Sequence, residues 1–310
     1  MNPSLPTQDV SIASNGGLVL TGGRHRVREL FAGESPPPKA SVKTFWENHL
    51  ARTTWCNDRS IKYLFTIFPD KIVPYSSLLL DDAIASIYLR YYRSTASTYP
   101  LPLYLDVSAD DYMKTDTHLS TAGVISSIEQ IVLRLGGQLR DFREDVLSRS
   151  VVRSNFAGDL GLKFSPQIDE EAIIIRPSAG LRYETNGMTS GNDGTIDIVY
   201  NENAKSVKTV LMFGDSFFRQ LMKELSYFYS RVICIRSRYF HYESVEAFMP
   251  DIILAGCAER YFSRVPSDDE RPHFLSYPLE LGRAISPSEG FAELWKESLN
   301  RKHLSIATSS

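Results

Sequence analysis

The chain has 310 residues, 43% apolar and 23% charged, enough to bury a sizeable core and too apolar for a disordered tail. Lys and Arg number 34 against 37 Asp and Glu, a net charge of -3, which argues against a protein devoted to gripping nucleic-acid phosphates. There is no apolar run of roughly eighteen residues to code a membrane span, and no basic-then-apolar start to read as a secretory signal. The three cysteines (Cys56, Cys234, Cys257) include no CxxC pair, so neither a complete disulfide framework nor a zinc ribbon is expected. RVICI and IILAGC are apolar settings in which Cys234 and Cys257 read as buried small hydrophobes.

In chain order, residues 1–40 are rich in Gly, Pro and Ser and read as a loosely structured lead-in with a short hairpin near GGLVLTGG. From Ser41, read as an N-cap, the helical spacing of Phe45, His49, Thr53 and Cys56 predicts a helix. IKYLFTIF, stopped by Pro69, predicts a buried strand. Residues 79–93 predict a second helix, LPLYLDV a short strand, and residues 120–135 a third helix ending at Gly136–Gly137. The Gly- and Asn-rich stretch 178–206 predicts turns and short hairpins.

The clearest unit follows. VKTVLMF reads as a strand, GDS as a tight turn, and FFRQLMKELSYF as a helix with one apolar stripe at 217, 218, 221, 222, 225 and 228. RVICI and PDIILAGC read as two more strands. This alternation predicts an α/β protein with a central, mostly parallel sheet. Past Arg271, FAELWKESL predicts a helix before a polar tail, giving a main domain at 41–270 and a C-terminal segment at 271–310.

Ser216 stands where a strand gives way to a helix, at the carboxyl end of the strand, where open α/β sheets place their sites. Backbone N–H groups and the helix dipole there favour developing negative charge, and Gly214 permits the sharp turn. The same residues also fit a serine that merely caps its helix. A nucleophilic serine needs a base and an orienting carboxylate. Of six histidines, His25 and His303 lie near the ends, His49 in a helix, His273 in a Pro-flanked loop and His241 in an aromatic stretch that reads as packing. His118 differs: Asp116 precedes it by two, and in an extended segment the two side chains face the same way. An unconnected surface Asp and His is the alternative.

With these residues in hand, the chain resembles the alginate O-acetyltransferase family of the AlgJ/AlgX type, SGNH-hydrolase-like proteins in which the Asp-x-His element precedes Gly-Asp-Ser. FTIFPDKIVPYSSLL, KTDTHLSTAG, FAGDLG, KTVLMFGDSFFRQL and PDIILAGCAERYF carry the resemblance in the family's order, over roughly residues 55–265. It implies a three-layer α/β/α SGNH-hydrolase-like fold. It also implies Ser216 as nucleophile, His118 as base and then acid, Asp116 as orienting carboxylate, and Asp215 as support for the turn. Lys71 would be either an anchor of the fold or a solvated strand-end lysine. Arg260 would either hold an acceptor carboxylate or pair with Glu259. Gly256 and Arg238, from the RSR segment, are candidates for the second oxyanion donor, because GCAER stands where ordinary SGNH enzymes carry a Gly-x-Asn block.

Leu119 replaces a common aromatic, which points to an altered sugar-facing wall, and tyrosines of YLRYYR and SRYFHY are candidates to line a sugar groove. The implied activity is O-acetyl transfer to a bacterial polysaccharide, without metal or cofactor and without nucleic acid. A membrane acetyl-transfer protein would supply the donor, and by the family's habit the compartment would be periplasmic. A carbohydrate esterase and a non-catalytic polysaccharide-binding scaffold are the other readings.

Overall fold

The computed structural model describes residues 9–96, 99–189 and 193–300. They carry, in chain order, β1 (Val10–Ile12), β2 (Leu18–Leu20), α1 (Val27–Ala32), α2 (Lys39–Asn57), β3 (Lys62–Phe68), α3 (Ser76–Leu79), β4 (Leu103–Tyr104), α4 (Thr121–Arg134), α5 (Phe142–Arg149), β5 (Ser150–Phe156), β6 (Glu170–Ile175), β7 (Leu181–Thr185), β8 (Ile196–Asn201), β9 (Thr209–Gly214), α6 (Ser216–Leu225), β10 (Arg231–Arg236), α7 (Tyr242–Phe248), β11 (Ile252–Ala258), α8 (Tyr277–Glu280) and α9 (Phe291–Ser298).

Seven strands form one sheet in the order β4-β3-β11-β9-β10-β8-β7. β9 runs parallel to both β10 and β11, and β3 parallel to β4, while β8 and β7 add an antiparallel edge. The mixed α/β architecture with a mostly parallel central sheet is the one expected from the sequence. Its physical basis is plain in β9–β11. Strands covered on both faces need apolar residues at every position, and almost every residue of TVLMFG, RVICIR and IILAGCA is buried. α6 is the crossover from β9 to β10. Phe217, Phe218, Leu221, Met222 and Leu225 are all buried, so the predicted stripe is the face it packs.

By packing, the chain falls into two units. One comprises residues up to Leu50, Thr66–Pro177 and Cys257–Pro266; the other comprises Ala51–Phe65, Ser178–Gly256 and residues from Ser267 on. In the first unit, β1 and β2 form a hairpin, β5 and β6 a second antiparallel pair, and Phe45, Trp46, Tyr92 and Phe262 an aromatic cluster. In the second unit, buried Arg52 pairs with both carboxylate oxygens of Asp268, at 2.7 and 2.6 Å.

Several local expectations differ from the structure. α2 begins at Lys39, so Ser41 lies inside the first turn and its Oγ accepts from Val265 N instead of capping. The helix expected over 79–93 is broken by Leu80, whose φ of 54° ends a single turn; a wide helical turn resumes only at Tyr88–Tyr92. The amide of Tyr88 goes to the buried Glu259 carboxylate, a tertiary partner that local propensity does not reveal. Stretch 178–206 does form an antiparallel hairpin, β7–β8, as expected, and that hairpin also supplies the edge of the main sheet. α4 follows expectation. Ser120 Oγ accepts from Gly123 N, and beyond its end Gly136 (φ 77°) and Gly137 return N–H groups to Leu133 and Val132. Among the described residues no helix is long and apolar enough to cross a membrane. His303 lies outside the described residues.

Phe218 is fully buried on α6. Phe218→Ala is expected to cost about 3–5 kcal/mol in urea unfolding, since it removes both burial and packing; a loss under about 1 kcal/mol would contradict the packing described.

Candidate active site

The backbone between Met113 and His118 makes a tight turn, closed by Met113 N donating to His118 O at 3.2 Å. Such a turn exposes amides on one side and carbonyls on the other, and buried ones need partners. Glu170 supplies the first amide partners: Oε2 accepts from Lys114 N (2.9 Å), and Oε1 from both Thr115 N and Thr115 Oγ1 (2.7 Å each). Asp159 does the same for Thr117, accepting from its N (2.8 Å) and Oγ1 (2.7 Å). On the carbonyl side stands Lys71, only 1% exposed. Its Nζ donates to Met113 O (2.5 Å), Lys114 O (3.1 Å) and Asp116 O (2.9 Å). Lys71 is thus an anchor, not a solvated strand-end lysine. Burial lowers its pKa to about 8, opposed by the charges of Glu170, Asp116 and Asp159.

Within this turn Asp116 Oδ1 meets His118 Nδ1 at 2.6 Å and also accepts from His118 N at 2.9 Å, while Oδ2 accepts from Asp159 N at 3.0 Å. The pairing is an Asx-type turn rather than the extended segment the spacing suggests, with the same outcome for the two side chains. Burial alone would raise the Asp116 carboxyl. The hydrogen bond and charge of His118, with the two amides, outweigh it and hold the group at about 2. With Nδ1 engaged by a carboxylate, any proton transfer by this ring goes through Nε2. Gly158 has to be glycine: a Cβ there would lie 2.4 Å from Asp116 Cβ and 2.6 Å from Thr115 O. Asp116, His118 and Asp159 bring donor atoms within 4.8 Å of one another, close enough for a cation. All four carboxylate oxygens, however, are already committed to the hydrogen bonds above.

In the second unit β9 ends at Gly214 and α6 begins at Ser216. Asp215 is the cap: its Oδ1 accepts from Phe217 N at 3.0 Å, so the capping role falls to Asp215 and Ser216 is the first helical residue. Gly214 has no room for a side chain, since a Cβ would lie 2.3 Å from Phe218 Cδ2 and 2.8 Å from Gly256 O. Gly256, a candidate oxyanion donor from the sequence, lies inside β11 and turns its carbonyl toward Gly214. Arg238 is partly exposed and faces Asp193 at 3.7 Å.

Back in the first unit, Arg260 Nε donates to buried Asp70 at 2.6 Å, so the expected pairing with Glu259 is replaced. Glu259 is instead fully buried. It accepts from Ser86 Oγ, Tyr88 N (2.9 Å) and Tyr104 OH (3.2 Å), and burial raises its pKa to about 7. Leu119 is buried and pairs with Tyr112, so this position packs the interior and lines no sugar-facing wall. Tyr88 and Tyr92 of YLRYYR are likewise core residues, because their rings pack with Phe262.

Glu170 escapes a reading of the sequence altogether, because nothing local to it signals a partner 55 positions away. A serine–histidine–carboxylate set around His241 was also hidden. His241 Nε2 meets Ser237 Oγ at 2.8 Å, and its Nδ1 meets Glu243 Oε1 at 3.2 Å. Ser237 Oγ also meets Tyr277 OH at 2.8 Å. His241 is fully enclosed, so this set packs, as its aromatic setting implies, and Ser237 N ties it to Gly214 O at 3.2 Å.

No family model matches the sequence, and no curated protein matches it either. Solved structures resemble it in fold. Bacillus cereus PatB1 with a sulfonyl adduct superposes with a TM-score of 0.59 at 12% identity, covering 82% of this chain and 97% of that one. A DHHW family protein from Eubacterium siraeum gives 0.52 at 13% identity, covering 87% and 96%. The O-acetyltransferase domain of Pseudomonas putida AlgJ gives 0.49 at 11% identity, covering 89% and 98%. For PatB1 and the DHHW family protein the likeness is one of fold alone.

A carboxyl held low by native hydrogen bonds stabilises the fold above its unfolded value, near 3.9, and loses that contribution as pH falls through about 2. Asp116→Asn is therefore expected to be less stable than the parent by about 2 kcal/mol at pH 6, with the gap narrowing below about pH 4 and closing only near pH 2. Urea unfolding across this range checks it; a gap independent of pH would contradict the assignment.

Proposed function

We propose that this chain is an O-acetyltransferase that carries an acetyl group on Ser216 and passes it to a hydroxyl of a bacterial polysaccharide. The observation that carries the proposal is the imidazole of His118, fixed by Asp116 at 2.6 Å on a turn whose backbone is held by Lys71, Glu170 and Asp159. A histidine oriented in this way by a buried carboxylate is the base that a serine nucleophile requires. Ser216, the first residue of α6 with its cap supplied by Asp215, has the serine chemistry and the helix N-terminal setting. The order Asp-x-His before Gly-Asp-Ser favours the acetyl-transfer family over ordinary esterases, and a structure of the fold neighbour PatB1 carries a sulfonyl adduct.

In this reading His118 takes the Ser216 proton as Oγ attacks the carbonyl carbon of the donor ester. The tetrahedral oxyanion forms near the amides opening α6 and collapses to acetyl-serine, and His118 returns the proton to the departing group. A sugar hydroxyl then enters, gives its proton to His118, and takes the acetyl as Ser216 recovers its hydrogen. The acceptor is a polysaccharide, the donor acetyl comes from a membrane acetyl-transfer protein, and no nucleic acid takes part.

A serine-directed fluorophosphonate is expected to label Ser216, read by peptide mass spectrometry, and His118→Ala to slow labelling by about 100- to 10,000-fold. Ser237→Ala, which removes a hydroxyl from the enclosed set and keeps the backbone bond to Gly214, should leave the labelled peptide unchanged. No labelling, or labelling indifferent to His118, would favour a non-catalytic scaffold. Incubation with an acetyl ester and an oligosaccharide is expected to give acetylated sugar; free acetate alone would make the protein an esterase.

A further inference from the structure

Lys71 commits its whole ammonium to the turn that carries Asp116 and His118. Its ammonium has three N–H donors, and the turn offers it three carbonyl oxygens: Met113, Lys114 and Asp116. Donors and acceptors match one to one, the lysine is 1% exposed, and the bond to Asp116 O is buried, so no bulk water stands ready to replace that one. One of the three carbonyls belongs to Asp116 itself, the residue that orients His118.

We propose that Lys71 is a positioning residue whose third N–H, present only in the charged form, holds the Met113–His118 turn in the shape that aims His118. The consequence for activity rests on the function proposed above; the effect on the turn does not.

The chemistry is a matter of counting. A neutral amine keeps two donors and turns a lone pair toward the three carbonyls, so one carbonyl loses its partner and meets a repulsive neighbour. The groups facing Lys71 set when this happens. Glu170 on β6, Asp116 in the turn and Asp159 beyond β5 favour the charge; burial disfavours it more strongly, and the pKa falls to about 8. Tyr75, whose ring lies 5.0 Å from Nζ, and Tyr112, which donates to Pro69 O, complete the surroundings, and burial raises both phenols. These two therefore stay neutral where the lysine titrates.

The sign separates this device from ordinary alkaline unfolding. Because Lys71 binds its proton less tightly in the folded chain than in the unfolded one, its own contribution to stability rises with pH between about 8 and its unfolded value near 10.4. The turn should loosen over the same range in which the lysine contributes more to the fold. A lysine with a merely structural role predicts no such separation.

The test is an NMR titration of the intact chain from pH 7 to pH 9.5, following the Lys71 side-chain carbon next to Nζ together with the backbone amides of residues 113–118. Rates of fluorophosphonate labelling at Ser216 are measured in parallel. The expected result is one shared midpoint near 8 for the lysine and the amides, with labelling falling about tenfold between pH 7 and pH 9. Lys71→Met, if it folds, should flatten the amide titration and abolish the alkaline fall; the parent titration decides the matter if it does not. Amides that stay still while Lys71 titrates, or a Lys71 midpoint near 10, would overturn the proposal. If labelling is absent at every pH while the amides follow the lysine, the positioning of the turn stands and the acetyltransfer reading fails.

Discussion

A buried ammonium facing three backbone carbonyls is the contact on which the rest of this structure turns. The segment from Met113 to His118 bends so sharply that its amides and carbonyls cannot pair within a helix or strand, and charged side chains take their place. Glu170 and Asp159 answer the amides and Lys71 answers the carbonyls. Charge-assisted bonds are about twice as strong as neutral ones, and here they enclose the Asp116–His118 pair from both sides. Removing any one of them leaves buried polar groups without partners, so the arrangement is rigid for the same reason that it is costly to disturb. Gly158 and Gly161 belong to the same construction: a Cβ at either would drive into the turn's own backbone or that of Ile168.

The strand–turn–helix of β9 and α6 divides its labour in a comparable way. Asp215, not Ser216, caps the helix, and Gly214 gives up its side chain to Phe218 and the Gly256 carbonyl. Burial sets Ser237 and His241 apart from Ser216 and His118. Ser237, His241 and Glu243 have the contacts of a relay but are enclosed by Phe213, Phe274 and Tyr277, and so serve the packing at the end of β10. Ser216 and His118 are both partly exposed.

What could be read from the sequence follows from where its information lies. The runs VKTVLMF, RVICI and PDIILAGC are apolar because their strands are covered on both faces, so their pattern is local and legible, as is the stripe of α6. The Asp116–His118 contact spans two residues and was legible too. The supports of that pair were not. Lys71 could equally have been a solvated strand-end lysine, and nothing near Glu170 marks it as the acceptor for two amides 55 and 56 residues earlier. The expected helix over 79–93 fails for a related reason: Glu259, 171 residues away, takes the amide of Tyr88 and holds the chain in a different course. Charge pairs show the same limit, since Arg260 bypasses its neighbour Glu259 for Asp70, 190 residues distant. Long-range polar partners leave no periodicity behind.

The proposed acetyl transfer requires Ser216 and His118 to act as one catalytic unit, and epistasis tests this most directly. Rates of acetyl-ester turnover would be compared for the parent, Ser216→Ala, His118→Ala and the double variant. Groups that act together lose their effect together, so the account predicts that the double variant is no slower than the slower single variant. If the two losses multiply instead, the residues contribute independently and the proposed mechanism is wrong.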